Sequence, residues 1–236
     1  MVNDLETAAK FKEIFPELPP HDNQAEAVVE RLSESLAEAE LYELMKLFPE
    51  NYSISSVHRS ILDKSDSLED LEKLLNQVPE NNYVFHPARS KAVKYVDDLE
   101  SAAYFKEIFP DLDSYNKEAA QIYRKLKDRL NRDEIIKLAE IFKEQKFNNI
   151  DYLILQKSEN MEDVLDTLER YPEFKTYMPS QVKKLAYKFV KDSESAQKFL
   201  AEFPDDNQYK AGAEKYLSQA SAADSKDRQK ENKERE

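Results

Sequence analysis

The chain has 236 residues, 35% of them charged and 40% hydrophobic, with a formal net charge of −13, which argues against nucleic acid as the main partner because such binders carry a basic excess. It has no Cys and a single Gly, Gly212, which excludes disulfides, thiolate zinc sites and Cys nucleophiles, and leaves no glycine-rich phosphate loop or nucleophile elbow to be written. The 13 Tyr and 12 Phe supply enough surface to bury that the high charge does not imply disorder.

Seven related segments follow one another along the chain. Residues 4–16, DLETAAKFKEIFP, and residues 98–110, DLESAAYFKEIFP, are identical at 11 of 13 positions, and residues 192–204 read DSESAQKFLAEFP. These three starts are 94 residues apart. Weaker copies begin at Ala37, Ser67, Asn131 and Asn160, so the mean step is about 31 residues. Apolar residues recur at the second, fifth, eighth and twelfth positions of each copy, as Leu99, Ala102, Phe105 and Phe109, which places them on one helical face. Asp4, Ser67, Asp98, Asn131, Asn160 and Asp192 precede the runs and suit N-caps, and Pro closes six of the seven.

After each Pro comes a short polar link with an aromatic residue (Tyr52, Tyr83, Tyr115, Phe147, Tyr177 or Tyr209), read as a packing pin between units. A second helix follows, with Val28, Val29 and Leu32 in the first unit, Ile122, Tyr123 and Leu126 in the fourth, and Val182, Leu185, Ala186 and Phe189 in the sixth. Pro87 and Pro179 are expected at first helical positions.

A lone pair of such short helices cannot bury its apolar stripe, whereas stacked pairs can. The expected fold is therefore all-α: a right-handed α-solenoid of about seven helix hairpins over residues 1–220. It comprises two three-unit blocks, 4–97 and 98–191, and a seventh unit, 192–220, before a charged tail at 221–236 without apolar periodicity. With Pro87–Val96 as the first helix and Leu99–Phe109 as the second, the unit resembles the tetratricopeptide class of helical hairpins. The run from Ala102 through Phe105 to Pro110 is similar to the end of such a repeat. The unit is about three residues shorter than that class and lacks its Leu-Gly pair. The resemblance implies a protein that binds other proteins or peptides along a groove.

Candidate chemistry is sparse. His21, His58 and His86 fall at non-equivalent repeat positions without metal-ligand spacing, and are read as loop or surface residues. Acidic pairs such as Glu69-Asp70 and Glu162-Asp163 lie at helix starts, where the helix dipole accounts for them. No cofactor or metal is expected. The first helices are mostly acidic, while several second helices are basic. The candidate binding residues are Arg89, Lys91, Lys94, Arg124, Lys127, Lys183, Lys184 and Lys188. Charge segregated in this way would steer a partner. An acidic groove suits a basic peptide; a basic one suits an acidic or phosphate-bearing partner. The leading expectation is a non-enzymatic scaffold for a protein or peptide partner; the alternative is a helical-repeat nucleic-acid binder using the basic helices. No signal peptide or long apolar run is present, so the expected setting is cytoplasmic, or a host cytosol reached by a secreted effector.

Overall fold

The computed structural model describes residues 2–19, 22–49, 54–78, 83–147 and 149–219. The charged tail, His21, Tyr52 and Pro79 lie outside the described residues. Among those described, the chain is all-helical and has no strand. The α-helices are α1 (Leu5–Ile14), α2 (Asn23–Ser35), α3 (Glu38–Leu47), α4 (Ile54–Lys64), α5 (Leu68–Leu75), α6 (Phe85–Ala92), α7 (Leu99–Ile108), α8 (Lys117–Leu126), α9 (Arg132–Ile141), α10 (Ile150–Gln156), α11 (Met161–Arg170), α12 (Phe174–Tyr177), α13 (Pro179–Lys188) and α14 (Ser193–Glu202). A 3-10 turn, Val93–Tyr95, continues α6, and residues 210–219 are also helical.

Helix ends follow local chemistry. Asp98 Oδ1 accepts the Ser101 N–H at 2.8 Å, and Asp4 and Asp192 cap α1 and α14 in the same way. Asn131 Oδ1 caps α9 through the Glu134 N–H at 3.0 Å. Ala37 has no side-chain oxygen to offer, and Glu40 instead reaches back to accept the Ala37 N–H at 2.9 Å. At the other end, α1, α3, α7, α11 and α14 each stop two residues before Pro16, Pro49, Pro110, Pro172 and Pro204. The residue between helix and Pro is aromatic each time (Phe15, Phe48, Phe109, Tyr171, Phe203), with ψ of 56 to 71°, outside the helical region that a following Pro disfavours. Pro179 opens α13 as expected. Pro87 differs: it is the third residue of α6, still within the first turn, where its missing N–H has no intrahelical acceptor to lose.

The apolar frame is seen in the burial. The fifth-position residues, Ala8, Leu41, Leu71, Ala102, Ile135, Val164 and Ala196, are all fully buried. So are the eighth-position Leu44, Leu74, Phe105, Leu138, Thr167 and Phe199, while Phe11 is half-buried. At the twelfth position Phe48, Phe109, Phe142 and Phe203 are buried, but Phe15 is 46% exposed. The ring pairs Phe11–Phe15, Phe105–Phe109 and Phe199–Phe203 keep one geometry, with centroids 5.2, 5.0 and 5.1 Å apart.

The described residues form two compact units. One comprises residues up to Leu126 together with Ile141–Gln145; the other comprises Lys127–Glu140 and the residues from Lys146 on. In the first unit α1 packs on α3, α2 on α4 and α5 on α7, so helices of one type meet across about one repeat. In the second, α11 packs on α10, α13 and α14 around Leu155, Val164, Leu168, Val182, Ala186 and Phe199.

The link aromatics depart from expectation. Tyr83, Tyr115 and Tyr177 are 48%, 78% and 78% exposed: Tyr83 and Tyr115 sit in polar links, and Tyr177 ends the one-turn α12, whose buried residue is Phe174. Tyr209 does pack, stacking on Tyr187 at 4.8 Å. His58, expected at the surface, is 4% exposed and lies with Nδ1 3.2 Å from Tyr83 Oη; burial pushes its pKa down. His86 is exposed as expected.

Candidate functional site

A cleft of about 670 Å³ lies in the first unit between the start of α5, the 3-10 turn and α7. Periodic capping creates it: α5 and α7 both begin at N-caps with acidic residues in the first turn, and α5 packs directly on α7. Asp66 and Glu69 line one side; Asp97, Glu100 and Glu107 line the other. Tyr95 and Tyr104 form walls; among the described residues Lys94 is the one cation in the lining, and Lys125 Nζ lies 2.9 Å from Asp97 Oδ1.

The field there is negative. Tyr104 donates to Glu72 Oε2 at 2.7 Å, and this bond, helped by partial burial and by the charges of Glu69 and Glu107, pushes its pKa up to about 12. Tyr95 donates to the Ser65 carbonyl at 2.9 Å and is raised by burial, then by Asp66 and Asp70. Next along, burial and the Asp70 charge raise the Glu38 carboxyl, and burial with Glu38 raises Tyr42. Lys73 partly offsets this, with its ammonium 4.3 Å above the Tyr42 ring.

The second unit holds the corresponding cleft one block later, about 210 Å³ in volume, between the starts of α11 and α14. Glu162 and Glu194 stand where Glu69 and Glu100 stand in the first, but the Tyr104 position is Lys198 and the Asp97 position is Lys191. Lys198 donates to Glu162 and, at 2.8 Å, to Glu194 Oε1. These bonds raise the lysine's pKa, and the Lys198 bond holds Glu162 below the usual carboxylate range. One copy of the cleft thus carries its own cation between two glutamates, and the other carries a tyrosine there.

The sequence-derived cations are distributed differently. Arg89 is mostly buried, with Nε 3.5 Å from Oε2 of the buried Glu118. Lys91 donates to the Leu62 and Asp63 carbonyls at 2.6 and 2.9 Å. Lys94 is exposed at the rim of the acidic cleft. Arg124 is exposed and bonds back to the Ala120 carbonyl at 3.2 Å. In the second unit Lys127 lies 3.8 Å from Asp128, and Lys183 lies 3.1 Å from the buried Asp206. The Tyr209 N–H and Lys183 hold Asp206 below the usual carboxylate range despite its burial. Lys184 and Lys188 are exposed, with Lys188 Nζ 5.8 Å from the Phe189 ring centroid. Arg89, Lys91 and Lys183 therefore spend their charge inside the fold. Tyr95, Tyr104 and Glu107 were not singled out from the sequence; the change from Tyr104 to Lys198 across the 94-residue offset is the signal that marks them.

Among the described residues no group of three His or carboxylate side chains is arranged to hold a metal ion, and no helix is long and apolar enough to cross a membrane. Comparison with protein-family models, with curated proteins and with solved structures gave no match.

Proposed function

We propose that the chain is a non-enzymatic interaction scaffold, a right-handed α-solenoid of seven helix pairs, that binds a basic segment of a protein partner in the cleft between α5 and α7. The observation that carries this reading is the cleft itself, where Asp66, Glu69, Glu100 and Glu107 stand with Lys94 between two tyrosine walls, and Asp97 at the edge is paired with Lys125 Nζ at 2.9 Å. Such a lining attracts Lys and Arg electrostatically, and tyrosine faces accept the stems and charges of both. The repeat-related cleft supports the reading, since there a lysine ammonium occupies the position between the two glutamates. Packing of α1 on α3, α2 on α4 and α5 on α7 supports the stacked arrangement.

Titrating labelled Lys/Arg-rich, acidic and neutral peptides of equal length, and a single-stranded RNA, tests it. The basic peptide should bind, more weakly as salt rises, and Glu69→Lys with Glu100→Lys should abolish binding without altering the helical spectrum. Binding of RNA or of the acidic peptide in preference would overturn the reading in favour of the exposed cations Lys94, Arg124, Lys184 and Lys188.

A further inference from the structure

The first repeat has an exposed apolar edge whose near-identical copy elsewhere in the chain is covered. Ile14 is 68% exposed and Phe15 46% exposed, at the end of α1. Their counterparts 94 residues on behave differently: Ile108 is half-buried and Phe109 is 1% exposed. Local sequence does not make this difference, because the two segments share 11 of 13 residues and the same ring-pair geometry. What differs is a neighbour. Phe85, the first residue of α6, meets Phe109 edge-on at 5.4 Å.

The same neighbour makes a polar contact at its other end. Lys125 of α8 donates to the carbonyl of Lys94 at 2.9 Å and reaches that of Val93 at 3.5 Å, where the helical run from α6 finishes. A cation there complements the negative end of the helix dipole and adds a donor at the Lys94 carbonyl, beside the Val93 carbonyl that also accepts from the Val96 N–H. The residue 94 positions before Lys125 is Arg31, exposed on α2. The edge formed by α1 and α2 therefore presents both halves of the contact that α7 and α8 make: an aromatic ring at one end and a cation for a helix C-terminus at the other.

We infer that this edge is a docking surface for one amphipathic helix of a partner protein, led by an aromatic residue that packs on Phe15 and ending in carbonyls that accept from Arg31. The internal copy defines length as well as chemistry, since Phe85 and Lys94 bracket the helix that covers Phe109. It also identifies a difference in selectivity. Arg89 and Ser90 of α6 engage the buried Glu118 of α8, whereas the matching residue of α2 is Gln24, so the edge does not require a cation in the middle of its ligand. A second copy of this chain is the less suitable occupant. Its α6 is already spent on α7, and Tyr209, which leads the helical residues 210–219, is stacked on Tyr187. This inference does not depend on the acidic cleft and stands or falls separately.

The probe is a labelled synthetic peptide of residues 83–97, YVFHPARSKAVKYVD, titrated into the full chain with anisotropy and amide chemical shifts as readouts. Saturable binding is expected, with shifts centred on Phe15 and Arg31. Phe85→Ala in the peptide, and Phe15→Ser or Arg31→Glu in the chain, should each weaken it at least about tenfold. Both chain substitutions are at exposed positions, and Arg31→Glu leaves the apolar edge intact should Phe15→Ser alter folding. Absence of saturable binding, or binding indifferent to both chain substitutions, would overturn the inference; the latter would mean that the peptide exchanges with the chain's own α6. Concentration-dependent self-association of the wild-type chain, lost in Phe15→Ser, would overturn it in favour of a second copy.

Discussion

Lys91 donates from Nζ to the carbonyl oxygens of Leu62 and Asp63, 29 and 28 residues earlier, and so caps the end of α4 from the next repeat. Lys125 does the same to Val93 and Lys94, and in the second unit Lys157 donates to the Leu130 carbonyl at 2.6 Å. Each of these lysines joins neighbouring repeats by donating to main-chain carbonyls, at the helix ends for Lys91 and Lys125 and in the turn after α8 for Lys157. Lys91→Met keeps the aliphatic stem but removes the donor, and should lower stability by about 1–2 kcal/mol in urea denaturation. Lys94→Met, at an exposed site, should change it by no more than about 0.5 kcal/mol.

Burial of equivalent phenylalanines predicts unequal costs. Phe105 is fully buried, and Phe105→Ala should destabilise by about 3–5 kcal/mol. Phe15→Ala, at a ring 46% exposed, should cost about 1 kcal/mol or less. Equal losses in the two variants would contradict the difference in environment.

Gly212 lies in the helical residues 210–219, where Gly→Ala ordinarily gains about 0.5–1 kcal/mol. Here the sign should reverse. A Cβ at this position would lie 2.1 Å from Tyr187 Oη, and Tyr187 is held by stacking on Tyr209 and by an edge contact with Phe199. Gly212→Ala should lower the melting temperature, with a loss of about 1–2 kcal/mol, and Tyr187→Leu in the same chain should make the alanine harmless. A melting temperature raised by Gly212→Ala alone would refute the steric account.

Two titrations have opposite signs. Tyr104 has a folded pKa of about 12, above its ordinary value of about 10. Its contribution to stability is complete below the ordinary value and is lost as pH rises through about 12; Tyr104→Phe should remove that alkaline dependence and the tyrosinate absorbance that appears near pH 12. Asp166 is held low chiefly by its bond from Arg132, with Arg170 adding to it. Its contribution is complete above the ordinary carboxylate pKa and is lost as pH falls through the lower folded value, so Asp166→Asn should flatten the acid limb of the stability profile.

Much of the local structure can be derived from residue order alone. Asp98 and Ser101 form a cap because their spacing is short and the bond needs only a helix start. Phe109 leaves the helical region because Pro110 follows it. Ala102 and Phe105 are buried because a 3.6-residue period places them on one face. The acidic cleft was half legible: Glu69 and Glu100 follow from first-turn placement, but their convergence with Tyr95 and Tyr104 depends on α5 packing on α7.

Where helices begin, which face is apolar and where they stop can all be read from residue order, since each rests on interactions within about four residues. Which charges and rings remain available depends on how the helices pack. Lys91 and Lys94 look alike in sequence, yet one is spent on the carbonyls of Leu62 and Asp63 while the other is exposed. Phe15 and Phe109 occupy nearly identical segments, yet only Phe109 has Phe85 against it. The physical reason is range: a cap is closed by a near neighbour in sequence, whereas an ion pair or a covered ring depends on a helix about thirty residues away.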